Sequence, residues 1–509
     1  MQEREKVKPE KSRPDQSGPE QLRVLIAASE ITPYAKSGGL GDVIGSLPFE
    51  LSKLGVDVRV VFPKYKCVGQ EYGGSMSFMG SFTVNMGWRS QSASIHLIEG
   101  DVPLYCIEND YYFGRDGFYG YGDDYERFAF FSKAAIEFLT IIDFSPDIIH
   151  FNDWQCGLGC VYLRDKYSRF KFFEHTKSVF TIHNLRYQGI FGRRILECID
   201  LNDGYFVSDK LEFYGSISLL KAGITYADVI TTVSETYAKE SQTPQFSYGM
   251  DGILRARSHE YFGVLNGIDT VLNDPATDAD IYANFTPARL KGKKDNKKRL
   301  QEQLGLPVSD VPLIGIVSRL VDQKGFDLIS VSMEELIGMN LQIVVLGTGE
   351  GRYEQLFQHM QWRAPQKVSA NIRFDEKFAK QIYAGADMFL MPSIFEPCGL
   401  GQLFAMRYGT APIVRKTGGL ADTVKHFDRL TGTGNGFVFE DFVASGMMWA
   451  LNEAVDMYNT DKKSWARLVR NAMKSDFSWN KSAEKYKELY NKLVSGDDPA
   501  AQKEEVARG

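Results

Sequence analysis

Short β-branched apolar runs, alternating with amphipathic stretches, leave this chain few architectures to choose from. LRVLIAA (22–28) is followed by a glycine-rich loop, then VIGSLPFELSKL (43–54), then VDVRVVF (56–62). Runs this short and this rich in valine and isoleucine suit parallel strands buried on both faces, which need crossover connections. The middle segment sets Val43, Leu47, Leu51 and Leu54 on one helical stripe, with Pro48 awkwardly inside it. Further strands are expected at 102–107, 147–152, 178–183, 228–233 and 262–266, with a long helical pattern over 123–140. After a polar, lysine-rich stretch at 273–299 the alternation restarts, with strands at 312–318, 341–347, 387–393 and 411–414. The expected fold class is α/β, two doubly wound Rossmann-like domains facing an interdomain cleft. The bounds are 21–268 and 269–476, then a closing helix at 477–493, with a disordered tail at 1–20 and a flexible one at 494–509.

A length of 509 residues agrees with more than one core. A net charge of −6 gives no reason to expect nucleic acid or an anionic membrane as a partner. The basic cluster KGKKDNKKR (291–299) reads as the solvated start of a linker helix. Six scattered cysteines suit a reducing compartment, with Cys156 and Cys160 as a buried thiol pair on one helix face. The first twenty residues lack the apolar core of a signal peptide, and their acidic residues argue against a transit peptide.

Two glycine-rich turns recur in equivalent places, KSGGLGD at 36–42 and KTGGLAD at 416–422. Each follows an expected strand and precedes an expected helix, one in each domain. Backbone N–H groups at such a start, unhindered at glycine, suit a phosphate. Neither copy has the GxGxxG or GxxxxGK[ST] spacing, and GTGEGR (347–352) has Arg352 where the third glycine belongs. A diphosphate held from both sides and a purely structural turn both remain open.

Other loops after expected strands carry Arg319 and Lys324 (SRLVDQKG), Glu396 (PSIFEPCGLGQ), Asp153 (FNDWQCGL), and His183 with Asn184 (TIHNLRYQG). Guanidinium and ammonium groups suit a diphosphate. Taken singly, each carboxylate reads equally as a helix cap and His183 as a structural histidine. Together they fall on the sheet edge where open α/β folds bind ligands. Asp278 and Asp280 have the DxD spacing of metal-dependent transferases, but they fall in the linker and read as solvated. No metal is expected.

In this order, KSGGLGD, FNDWQCGL, TIHNLRYQG, LNGID, SRLVDQKG, EPCGLGQL and KTGGLADT resemble the bacterial glycogen synthase and plant starch synthase family. These are retaining glucosyltransferases of the two-domain GT-B fold, and the resemblance runs over about residues 22–493. It implies glucose transfer from ADP-glucose to the non-reducing 4-hydroxyl of an α-1,4-glucan such as glycogen, starch or a malto-oligosaccharide. It implies no cofactor, no metal, and neither nucleic acid nor membrane as partner. The first domain would be the acceptor side and the second would bind the nucleotide sugar. The closing helix would cross back to the first domain, with Phe477, Trp479, Tyr486 and Tyr490 as packing contacts.

The implied catalytic residues are Glu396, Asp153, His183, Arg319 and Lys324. The implied substrate-binding residues are Lys36, Gly38, Gly39, Asp42, Tyr119, Asn184, Asn266, Cys398, Gly399, Leu400, Thr417, Gly418 and Gly419. Ile394, Gly401, Asn273 and Gln155 depart from the family's commoner residues without removing a charge named above. Cys398 is expected to make the protein sensitive to thiol reagents. The implied location is the cytoplasm of a bacterium, or the plastid stroma of a plant or alga. The rivals are a retaining glucosyltransferase with a small acceptor, a catalytically silent glucan-binding protein, and a dinucleotide-dependent oxidoreductase.

Overall fold

A computed structural model describes residues 21–497. The expected tail at 1–20, and residues 498–509 of the other tail, lie outside the described residues. The chain divides into two compact α/β units, one of residues 21–233, 238–264 and 479–497, the other of residues 234–237 and 265–478. Among the described residues no helix is long and apolar enough to cross a membrane.

The sheet of the first unit is built from β1 (Arg23–Ala27), β2 (Asp57–Pro63), β3 (Ser77–Met86), β4 (Arg89–Ile98), β5 (Leu104–Glu108), β6 (Ile148–Asn152) and β7 (Lys177–Ile182). After three short strands, β8 (Ile190–Phe191), β9 (Glu212–Phe213) and β10 (Ser216–Ser218), it is completed by β11 (Val229–Thr232) and β12 (Tyr261–Gly263). The order is β12-β11-β7-β6-β1-β2-β5-β4-β3. Its seven central and left-hand strands pair in parallel. β6 is buried along its whole length, as a strand covered on both faces must be. The strand order reverses between β1 and β6, so the loops leaving those two strands diverge and leave a crevice at the carboxyl edge.

The β3–β4 hairpin pairs antiparallel along one edge, and the sequence reading missed it. Its residues alternate exposed and covered, because an edge sheet with one wet face needs no continuous apolar run. The single helix expected over 43–54 is two, Gly39–Ile44 and Leu47–Lys53. Pro48 sits in the first turn of the second, where its missing N–H costs nothing. The helix Trp479–Ser495 belongs to the first unit, with Tyr490 OH 2.7 Å from His150 Nδ1 and Lys487 Nζ donating to Leu54 O at 2.7 Å.

The second unit has six strands, all parallel: β13 (Leu313–Val317), β14 (Gln342–Leu346), β15 (Val368–Asn371), β16 (Met388–Met391), β17 (Ala411–Arg415) and β18 (Phe437–Phe439). Their order, β15-β14-β13-β16-β17-β18, is that of a dinucleotide-type sheet, with its reversal between β13 and β16.

The lysine cluster is not solvated throughout. In the helix Lys291–Leu304 the buried stripe is Lys293, Asn296, Lys297 and Leu300. Lys293 Nζ donates to the carbonyls of Ala384, Ala386 and Tyr408 and to Thr410 Oγ1, at 2.8–3.2 Å, and burial pushes its pKa down to about 7. Lys297 pairs with Asp387 at 2.7 Å. Lys293 thus caps the carbonyls at the end of the helix Glu376–Gly385, where Thr410 Oγ1 also donates to Ala386 O at 2.9 Å. Asp278 also departs from expectation. It is buried, accepts from Tyr408 OH, and lies 3.4 Å from Lys380, which is 3.1 Å from Asp280. The DxD carboxylates are a packing device.

Candidate active site

In the first unit the loop leaving β1 is organised by Glu30, a residue the sequence reading did not single out. Glu30 is 4% exposed. Its carboxylate accepts from Ser37 N–H (2.6 Å), Ser37 Oγ (2.7 Å) and Gly38 N–H (3.1 Å). Tyr119 OH donates to it at 2.6 Å and lies 2.8 Å from Ser29 Oγ. Burial raises the Tyr119 pKa well above its ordinary value, which keeps that donor protonated. Lys36 and Asp42 close the turn as an ion pair at 2.8 Å. A Cβ built on Gly38 would meet nothing within 4 Å, so no neighbour demands a glycine there. The signal for Glu30 was its position, three residues past a strand end on a binding edge.

Across the crevice, β6 ends in Asn152 and Asp153. Asp153 has φ of 56°, the left-handed region that costs a non-glycine residue about 1–3 kcal/mol. This turn lets its Oδ1 accept from His183 N–H at 2.8 Å. Asn152 Oδ1 in turn accepts from His183 Nε2 at 3.0 Å, which fixes the tautomer with the proton on Nε2. Burial pushes His183 down to about 3, so its ring is neutral at physiological pH. Burial, reinforced by the nearby Glu30 carboxylate, pushes Asp153 up to about 7. Asn184 Oδ1 caps its own turn, accepting from Arg186 N–H at 3.0 Å.

In the second unit the loops after β13 and β16 meet at the reversal of strand order. Lys324 Nζ lies 2.6 Å from Glu396 Oε2, which also accepts from Ser393 Oγ at 3.1 Å. Glu396 is 5% exposed. Gln323 knits the loops together, its carbonyl accepting from Ile394 N–H (2.9 Å) and its Nε2 donating to Phe395 O (3.2 Å). Gly325, at φ 74°, is obligatory here, since a Cβ would stand 1.9 Å from Pro392 O. Arg319 is exposed on the same loop.

The second glycine turn packs directly on this pair. A Cβ on Gly418 would fall 1.9 Å from Glu396 O, and one on Gly419 would fall 2.1 Å from Cys398 O. Gly419 N–H donates to Glu396 O at 3.0 Å. The two look-alike turns therefore differ: the second needs glycine so that the Glu396–Cys398 backbone can approach, whereas Gly38 of the first faces open space. Asp422 is held by Thr236 N–H and Oγ1 at 3.0 and 2.5 Å, where the first copy uses Lys36. Thr417 is buried at the head of this turn. Gly399, at φ 72°, and Leu400 lead into the helix Gly401–Arg407.

Asn266 Oδ1 and Gln402 Oε1 are buried without a hydrogen-bond partner, a state that costs about 1–3 kcal/mol each. Cys398 is 5% exposed, and burial pushes its pKa up to about 12. Both argue against the expected thiol sensitivity at this position, because the reactive thiolate is scarce and covered. Cys67 is the exposed cysteine among the six. One equivalent of a thiol reagent is expected to add at neutral pH, at a modest rate because partial burial raises the Cys67 pKa too. Cys67→Ser should abolish this addition, and activity should survive the modification.

A family model for the starch synthase catalytic domain matches residues 23–256, and one for glycosyl transferases group 1 matches 296–475. A glycogen synthase from Clostridium acetobutylicum is 49% identical over 477 residues, covering 93% of this chain and all of its relative. The chain belongs to the glycogen and starch synthase family. It is a glucosyltransferase of glycogen or starch synthesis with the GT-B fold. The glycogen synthase of Clostridioides difficile is 48% identical over 93% of this chain. The solved catalytic domain of starch synthase IV from Arabidopsis thaliana, bound to ADP and acarbose, superposes with a TM-score of 0.85 at 35% identity, over 94% of this chain and all of that one. A sucrose-phosphate synthase from Thermosynechococcus elongatus, at 16% identity and a TM-score of 0.59, shares the fold alone.

Proposed function

We propose that this synthase transfers glucose from ADP-glucose to the non-reducing 4-hydroxyl of an α-1,4-glucan, with retention and without a cofactor. The observation that carries the reading is the Lys324–Glu396 contact at the strand reversal of the second unit, backed by the Thr417–Gly419 turn. Breaking the donor bond leaves negative charge on the diphosphate and positive character on the sugar ring. Arg319 and Lys324 answer the first, in the role a metal ion fills in other transferases. The carboxylates of Glu396 and Asp153 answer the second. Neutral His183 and the unsatisfied Asn266 Oδ1 are groups suited to sugar hydroxyls.

Glu396 Oε2 is already engaged by Lys324 and Ser393, which makes it a poor nucleophile. That favours same-face attack, shielded by the leaving diphosphate, over a covalent glucosyl enzyme. ADP as the nucleotide is supported by the ligand of the 35% identical starch synthase domain, and a cytoplasmic location by the bacterial relatives.

The test is transfer from ADP-glucose and from UDP-glucose onto a glycogen primer, side by side. A kcat/KM about tenfold or more in favour of ADP-glucose is expected. Equal rates would overturn the donor assignment, and a trapped glucosyl carboxylate would overturn same-face attack.

A further inference from the structure

The second unit has a cavity of about 680 Å³ that the reaction described above does not use. It lies between the loop after β18, the start of the helix Ala444–Thr460, and the segment that follows the second glycine turn. Its volume falls among those of small-molecule sites, about 300–1,000 Å³. Trp449 forms one wall although it is 55% exposed. His426 is stacked with it, the ring centroids 5.6 Å apart and the planes 15° from parallel. The imidazole is itself held in place: Nδ1 accepts from Val438 N–H at 3.2 Å, and Nε2 lies 3.3 Å from Glu453. A wet tryptophan whose orientation is fixed by a stacked, anchored histidine is a prepared flat surface rather than a loose side chain.

The rest of the lining decides what such a surface would take. It carries two ammonium groups, Lys416 and Lys425, and two carboxylates, Glu440 and Asp441. Lys416 Nζ is already 2.7 Å from Glu440. A phosphate or nucleotide would have to break that pair and face a second carboxylate, in a lining with no excess of positive charge. A neutral, polyhydroxylated ligand meets no such penalty. Its hydroxyls accept from the lysines and donate to the carboxylates, while the apolar C–H face of a pyranose ring covers the indole.

We propose that this cavity is a second glucan-binding site, which holds a remote stretch of the polymer that the enzyme extends. The proposal rests on the reading that the acceptor is an α-glucan. A second hold raises the effective concentration of a long chain at the enzyme and does nothing for a chain too short to reach it. Acceptor length is therefore the discriminating variable.

The experiment compares the full-length enzyme with Trp449→Ala and Trp449→Phe. Mobility is measured in native gels with and without glycogen, and kinetics are measured with glycogen and with maltotriose as acceptors. Trp449→Ala is expected to lose most of the glycogen-dependent retardation and to raise KM for glycogen several-fold. Its kcat, its KM for ADP-glucose and its maltotriose kinetics should stay within about twofold of the wild type. Trp449→Phe should keep most of the binding. Unchanged retardation and an unchanged glycogen KM in folded Trp449→Ala would overturn the site while leaving the synthase reading intact. Equal losses with maltotriose and glycogen would also overturn it, as damage to the reaction itself. A wild type that transfers glucose to neither acceptor would remove the underlying reading, and the site with it.

Discussion

Lys324→Ala is expected to lower kcat/KM for ADP-glucose by about 10²–10³-fold, the usual loss when one group that stabilises developing charge is removed. The variant should also melt lower. Lys324 and Glu396 are 16% and 6% exposed in their side chains, and their 2.6 Å contact is mostly screened from water. Deleting the ammonium strands a buried carboxylate with Ser393 Oγ to stabilise it, and breaking a buried pair from one side costs about 3–5 kcal/mol. The two effects separate in the double variant Lys324→Ala/Glu396→Gln. Removing the second charge should restore much of the melting temperature, because partners in contact are not additive, while transfer stays lost. Lys324→Arg keeps the charge and should fall between wild type and Lys324→Ala. Steady-state kinetics with thermal melts of the three variants check this. A Lys324→Ala enzyme with unchanged kcat/KM would remove the cation from the diphosphate role.

Much of this arrangement was legible beforehand because strand ends in doubly wound sheets are punctuated in the sequence. Arg319, Lys324, Glu396, Asp153 and His183 each follow an apolar run, and the runs themselves became β13, β16, β6 and β7. What could not be read was anything set by approach across the fold. Gly418 and Gly419 look like a phosphate loop in one dimension, yet their lack of a side chain answers to the carbonyls of Glu396 and Cys398, some twenty residues upstream. Lys293 and Asp278 look solvated because charge normally is. Each is buried by partners more than 90 residues away, at Ala384 and Tyr408 for example. Glu30 was missed for the opposite reason: a lone glutamate after a strand carries no pattern, and its role appears only when Ser37, Gly38 and Tyr119 converge on it.

Asp153→Asn is expected to separate stability from activity along the pH axis. Burial and the Glu30 carboxylate disfavour the charge of the Asp153 carboxyl and push its pKa from the ordinary 3.8 up to about 7. Between about pH 4 and 7 the native state holds a proton that the unfolded chain has released. Wild-type stability therefore falls as pH rises through this window, by roughly 4 kcal/mol in all at about 1.4 kcal/mol per unit. Asparagine carries no such charge, accepts from His183 N–H in the same way, and tolerates the left-handed φ of 56° better than most residues. The variant should match the wild type near pH 4 and exceed it by a few kcal/mol at pH 8, read from denaturant melts at the two pH values.

Activity should move the other way. If the ionised carboxylate faces the sugar cation, wild-type kcat/KM climbs with an apparent pKa near 7, a value that belongs to the free enzyme. His183, pushed down to about 3, does not titrate in that range and cannot supply the limb. Asp153→Asn should lose the limb together with about 10²–10³-fold of its rate. A variant that gains no stability at pH 8 would show that Asp153 is ionised and comfortable in the fold. A variant that keeps the limb would show that another group carries it. The expected pairing, a carboxylate that weakens the fold at the pH where it serves the reaction, is what a residue kept for chemistry rather than packing should do.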